Sequence, residues 1–160
     1  MKDSSLRILR QGVVAGLIGY AIVAVVFAIA NLATGKSPFH TAAALGAMMF
    51  YGVPDASTVT VTPAYVIAFN GLHLATFLVL GVVGAWLAAL AMKGRQLWYF
   101  SLFFWIAVAY HVMGVAQVFA IPLGALLPAA AVWAAGIGAS MAMVFYLVRA
   151  NPGIRAKQSW

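Results

Sequence analysis

The sequence predicts an all-helical integral membrane protein, a bundle of four transmembrane helices with both termini on the cytoplasmic side. Three observations predict it. Only eleven of 160 residues are charged, nine Lys or Arg and two acidic, where an ordinary soluble domain carries about a quarter. Nearly all of them gather near the N-terminus, around residue 94 and near the C-terminus, which leaves four long apolar stretches between. Apolar residues make up 66% of the chain, more surface than a soluble fold of this size can hide, so its main solvent is lipid.

The first span runs from Gly12 to Ala33. Lys2, Arg7 and Arg10 ahead of it, with Ala28-Ile29-Ala30 inside it, imitate a signal peptide and its cleavage motif. The apolar run is long enough to cross a bilayer, so it is expected to stay as a helix. Ser37-Pro38 looks like an N-cap followed by Pro at the first helical position. This predicts a short helix over 38–51, stopped by Gly52 and Pro54. It is too short to span and is expected to lie in the outer interface or dip into the bundle. Asp55 to Thr62 is polar and β-branched and reads as extended loop. Thr62-Pro63 repeats the capping signal and opens the second span, Ala64 to Met92. The third span is Leu97 to Ala120 and the fourth Ala129 to Val148, joined by a short apolar link. At 1.5 Å per residue each covers the roughly 30 Å hydrocarbon core. Backbone groups find no water in lipid, so the spans must be helical.

Orientation follows from the basic residues. Lys2, Arg7, Arg10, Lys93, Arg95, Arg149, Arg155 and Lys157 fall on one side and only Lys36 on the other, which puts both termini in the cytoplasm of a bacterial inner-membrane protein. Arg7, Arg10, Lys93, Arg95 and Arg149 are expected to meet anionic lipid headgroups. Trp98, Tyr99 and Tyr146 would form the inner aromatic belt, and Tyr65 and Trp133 the outer one. Basic residues that flank apolar spans do not make a nucleic-acid face. The chain reads as one membrane domain over 1–160, without a Walker loop, a dinucleotide fingerprint or a long repeat.

Several chemistries are excluded. There is no cysteine, hence no disulfide, thiolate site or cysteine nucleophile. No span holds Asp, Glu, Lys or Arg, which argues against a proton-coupled transporter and against catalysis by paired carboxylates. Small residues recur at helix-packing spacing: Gly12, Gly16 and Gly19 in the first span, Gly81 and Gly84 in the second, Gly136 with Ser140 in the fourth. They let helices approach closely in lipid.

The histidines are the most pointed signal. His73 lies ten residues after Pro63 and His111 eleven before Pro122, so both sit about 15 Å below the same side. The ordinary reading is hydrogen bonding across helices, with Asn31, Asn70, Thr76, Gln117 and Ser140 as available partners. The sharper reading makes His73 and His111 the axial ligands of one b-type haem, with Gly114 beside His111 leaving room for a flat cofactor. Haem propionates usually want basic partners, and the outer side offers only Lys36. A third reading is a lipid-binding or carrier cavity lined by Asn31, Asn70, His73 and Gln117. His40, with few acids near it, reads as facing solvent or headgroups rather than a metal. The aromatic run Trp98-Tyr99-Phe100 with Phe103, Phe104 and Trp105 offers a greasy lateral surface.

Thr34 to Phe39 followed by Thr41 to Gly46, the Asn-Gly-Leu-His stretch Asn70 to His73, Leu123 to Pro128, and Met143 to Arg149 followed by Asn151-Pro152 run through most of the chain in order. In these segments it resembles a loosely defined group of small uncharacterised bacterial membrane proteins with four spans. The resemblance implies the four-helix architecture and brings no activity with it. The expected function is non-catalytic: lateral association with other integral membrane subunits, as an accessory or assembly subunit of a respiratory or photosynthetic complex.

Overall fold

The computed structural model describes residues 2–94 and 128–156. Helix α1 spans Lys2–Ala33, α2 His40–Tyr51, α3 Pro63–Ala91, α4 Ala129–Ala150 and the short α5 Gly153–Ala156. A single 3-10 turn, Ala56–Thr58, interrupts the α2–α3 connection. Among the described residues there is no strand. α1, α3 and α4 are each long and apolar enough to cross a membrane. Over the described residues the protein is thus all-helical, and its three long apolar helices make it a multi-pass membrane protein. The third span, 97–120, with His111, Gln117, Arg95 and the aromatic run, lies outside the described residues.

α1 is the middle helix. It packs antiparallel against α3 on one side and α4 on the other, while α3 and α4 touch each other little. The bundle therefore has a terminal end, where α1 begins and α3 and α4 stop, and an α2 end.

In the terminal half of the α1–α3 contact the two backbones touch. A Cβ built on Gly16 would come within 2.5 Å of Phe77 O. One on Gly81 would strike Gly12 O and Gly16 N, and one on Gly12 would strike the backbone of Val82. Three glycines thus do here what small residues do between helices in lipid, trading side chains for dispersion contact over a long backbone seam. One turn further along, Gly19 makes room for the Phe77 ring and for Met143 Sδ, whose nearest approaches to a Cβ there would be 2.6 and 2.5 Å. α1, α3 and α4 meet at this point, and Phe77 and Met143 are among the largest fully buried side chains. Gly84, Gly136 and Ser140 are buried as well.

Both ends of α1 carry a buried amide clasp. At the terminal end Asn151 Nδ2 donates to Gln11 Oε1 (3.1 Å) and Leu147 O (2.9 Å), and Gln11 Nε2 donates to Ala150 O (3.2 Å). At the α2 end Thr41 Oγ1 donates to Asn31 Oδ1 (2.9 Å), and Asn31 Nδ2 donates to Pro38 O (3.1 Å). Twenty helical residues separate the two amides, about 30 Å, the thickness of the hydrocarbon core. The polar clasps are spaced to lie at the two faces of a bilayer, with the apolar seam between them.

Three local expectations change. α1 starts at Lys2, ten residues before the apolar run, because helical hydrogen bonding does not stop where lipid does. Its other end is closed by Gly35, at φ +71, with Lys36 N donating to Asn31 O and Gly35 N to Leu32 O, as in a Schellman motif. Ser37-Pro38 caps a turn ahead of α2 rather than α2 itself, with Ser37 Oγ accepting from Phe39 N at 3.4 Å and Ser37 O from His40 N at 2.9 Å. Phe39 takes the N-cap position without a side-chain bond, since Pro38 O is drawn to Asn31, and the helix proper starts at His40. The stretch read as extended loop contains the 3-10 turn, held by Asp55 Oδ1 accepting from Ser57 N at 2.8 Å. Thr62-Pro63 does open α3: the Thr62 hydroxyl accepts from Tyr65 N at 3.4 Å, with Pro63 in the first turn.

α2 dips inward. Its residues Thr41 and Ala43 to Ala47 are buried, and Gly46 lies against the Tyr65 carbonyl of α3. Ala44 and Leu45 form a cluster with Ala56 and Val132 of α4, against which Phe27 of α1 and Phe69 of α3 also pack. The remaining helix flanks are apolar and exposed, with Ile29, Ile67, Val79, Trp86, Trp133, Met141 and Phe145 among them, as lipid-facing surface should be.

Candidate functional site

Where α2 inserts, α1 and α3 hold a partly enclosed cavity of about 140 Å³. α1 contributes Tyr20 and Phe27, α2 contributes Thr41 and Leu45, and α3 contributes Asn70 and His73. The sequence dictates the layout. Asn70 and His73 lie one helical turn apart on α3, so both point the same way. Tyr20 faces them because the glycine seam fixes the rotation of α1.

The polar groups are mostly spent on each other. Tyr20 donates its hydroxyl to Asn70 Oδ1 at 3.0 Å, and Asn70 Nδ2 donates to Val66 O at 2.9 Å. Thr41 is committed to Asn31. His73 sits among rings: stacked on Phe69 with centroids 5.2 Å apart, and tilted against Phe77 at 5.0 Å and Tyr20 at 5.9 Å. Its Nε2 is buried with no hydrogen-bond partner among the described residues. An unmet buried polar atom is uncommon in a native fold and asks for an explanation.

The residues read as partners for His73 go elsewhere. Asn70 binds Tyr20, Thr76 Oγ1 donates back to Leu72 O at 2.9 Å, and Asn31 holds α2. Asn31 therefore does not line the cavity, contrary to the carrier reading, and Thr41 stands in its place. Ser140 Oγ is buried and also without a partner among the described residues. His111 and Gln117 lie outside them. Among the described residues the free volume beside His73 is that of one small ring, and aromatic rings crowd the imidazole; the other half of the haem reading, His111, lies outside them.

His40 is half-buried at the start of α2. Burial, and then the nearby Lys36 charge, hold its imidazole below the ordinary histidine pKa. Asp55 is held below the usual carboxylate range by the Ser57 hydroxyl and backbone N–H. No group of three His, Asp or Glu that could hold a metal ion occurs among the described residues. At the terminal end Arg7, Arg10, Lys93 and Arg149 are exposed, and the Arg149 guanidinium lies 5.4 Å from the Phe145 ring centroid. Arg95 lies outside the described residues.

Sequence reasoning missed Tyr20, whose phenol is far from either end of a span where tyrosine usually sits. That position was the available signal. Comparison with family models, with curated proteins and with solved structures finds no match.

Proposed function

We propose that this is a non-catalytic membrane protein of four spans that acts by lateral association, as an accessory or assembly subunit of a larger membrane complex. The observation that carries the reading is the use of polarity in the bundle. The Gln11–Asn151, Asn31–Thr41 and Tyr20–Asn70 bonds are internal, and no described span holds a charge in its interior. What the bundle offers outward is apolar flanks, with Trp86 exposed on α3 and Trp133 and Phe145 on α4. Such a surface suits other membrane helices.

The fourth span is part of the same proposal. α3 delivers the chain to the terminal end, and α4 takes it up at the α2 end. The 97–120 run is apolar and long enough to make the return. The positive-inside rule then places Arg7, Arg10, Lys93 and Arg149 in the cytoplasm of a bacterial cell, beside anionic headgroups.

Extraction of tagged full-length protein from its native membrane with intact surrounding lipid, followed by sizing and mass spectrometry of what accompanies it, tests the association. Stoichiometric membrane subunits are expected, and a monodisperse protein with lipid alone overturns it. Because the chain lacks cysteine, single cysteines at Ser5, Ser37 and Gly94 report sidedness directly. Ser5 and Gly94 should label from the cytoplasm and Ser37 from outside.

A further inference from the structure

We infer that the Tyr20–Asn70–His73 cavity is a binding site for an uncharged six-membered ring bearing a hydroxyl, a compound of the phenol class, admitted sideways from the lipid. The inference is independent of the partner complex.

Size, charge and hydrogen-bond accounting each point this way. A cavity of about 150 Å³ in a protein interior admits benzene, and this one measures about 140 Å³. Its lining contains no Lys, Arg, Asp or Glu, so nothing there would neutralise an ion. The volume would also hold about five waters, each needing two to four polar partners. Tyr20, Asn70 and Thr41 are already bonded within the chain, which leaves too few. What remains is an apolar wall with one unmet group, the His73 imidazole. A hydroxyl both donates and accepts, so it satisfies that imidazole in either tautomer. Nε2 is closed off from the free volume that the imidazole lines, so the bond to a bound hydroxyl requires a turn about χ2, a soft torsion with two similar wells that exchanges nitrogen and carbon positions along the ring edge.

The exposed members of the lining mark the mouth. They are Ala24 on α1 and Phe39, 55% exposed, just ahead of α2. Ala24 lies nine residues before the end of α1, about 14 Å below it, at hydrocarbon depth. A ring could enter there and leave any apolar tail in the bilayer.

The test uses the full chain in lipid nanodiscs with phenol and benzene as probes, which differ by the hydroxyl alone. Ring-¹⁵N histidine spectra and the melting temperature report binding. Phenol should saturably move one of the three histidine signals, the one missing in His73→Phe, and should bind about fivefold tighter than benzene, the worth of one hydrogen bond. In His73→Phe the two should bind alike. Ala24→Phe places its ring at the mouth from an exposed position, spares the core, and should weaken both at least about tenfold. Equal binding of phenol and benzene to the wild type overturns the inference, as does an Ala24→Phe protein that still binds phenol normally.

Discussion

In the terminal half of the α1–α3 contact, Gly12, Gly16 and Gly81 let backbone touch backbone. In the α2 half, Tyr20, Phe69, Asn70 and His73 hold the same two helices around a cavity into which α2 intrudes. One pair of helices is thus a closed seam at one end and a lined opening at the other. The difference teaches that side-chain size, more than apolar character, sets helix separation in lipid, where tails and side chains are equally greasy. Glycine closes the seam, and rings with bonded polar atoms keep it open.

Forcing the closed half apart should have the largest effect. Gly16→Leu must displace the backbone at Phe77 and Leu78 rather than a flexible side chain. It should destabilise the bundle by about 3 kcal/mol, the upper range for overpacking, in a denaturant titration in mixed micelles. Gly71→Leu on α3, the other helix of the pair, where a Cβ meets nothing within 4 Å, should stay within about 0.5 kcal/mol. If the two variants behave alike, the seam does not govern the contact.

Loosening the open half should come next. Asn31→Ala strips Thr41 and Pro38 O of their partner and should cost about 1–2 kcal/mol. The loss should appear as faster amide exchange in α2 while α1–α3 protection holds. Exchange that rises uniformly through the bundle would mean that α2 and the seam are one cooperative unit.

The smallest effect is a pH dependence confined to the α2 end. The folded pKa of His40 lies below 6.5, so below that pH the unfolded chain binds the proton first. Stability is therefore full above about pH 6.5 and declines as pH falls toward the lowered folded value. Stability measured between pH 7.5 and 5 should show this slope, and His40→Gln should flatten it. Lys36→Met should flatten it partly, since burial is the larger cause.

Much of the bundle was legible because its signals are local. Thr62-Pro63 and Asn151-Pro152 bracket apolar runs, so α3 and α4 begin and end within two residues of expectation. The start of α1 was not legible, since hydropathy records where lipid begins rather than where a helix does. The start of α2 was misread because a residue seven positions away, Asn31, captures Pro38 O. At the site, His73 and Asn70 could be singled out as polar residues in a span, yet their partners could not. Tyr20 meets Asn70 across 50 residues, and only the rotation imposed by the glycine seam brings them together. Gly46 was passed over for the same reason: its role depends on which helix α2 lies against.

The Gln11–Asn151 bond joins residues 140 positions apart. Chains emerge from the ribosome N-terminus first, so Gln11 waits for its partner until α4 and the residue after it have been made. A nascent product truncated before residue 151 would carry an unpaired amide at the membrane face. Biogenesis of this bundle therefore includes a late step that fastens α4 to α1, and that unfastened amide is a mark by which a cell could tell an unfinished copy from a finished one.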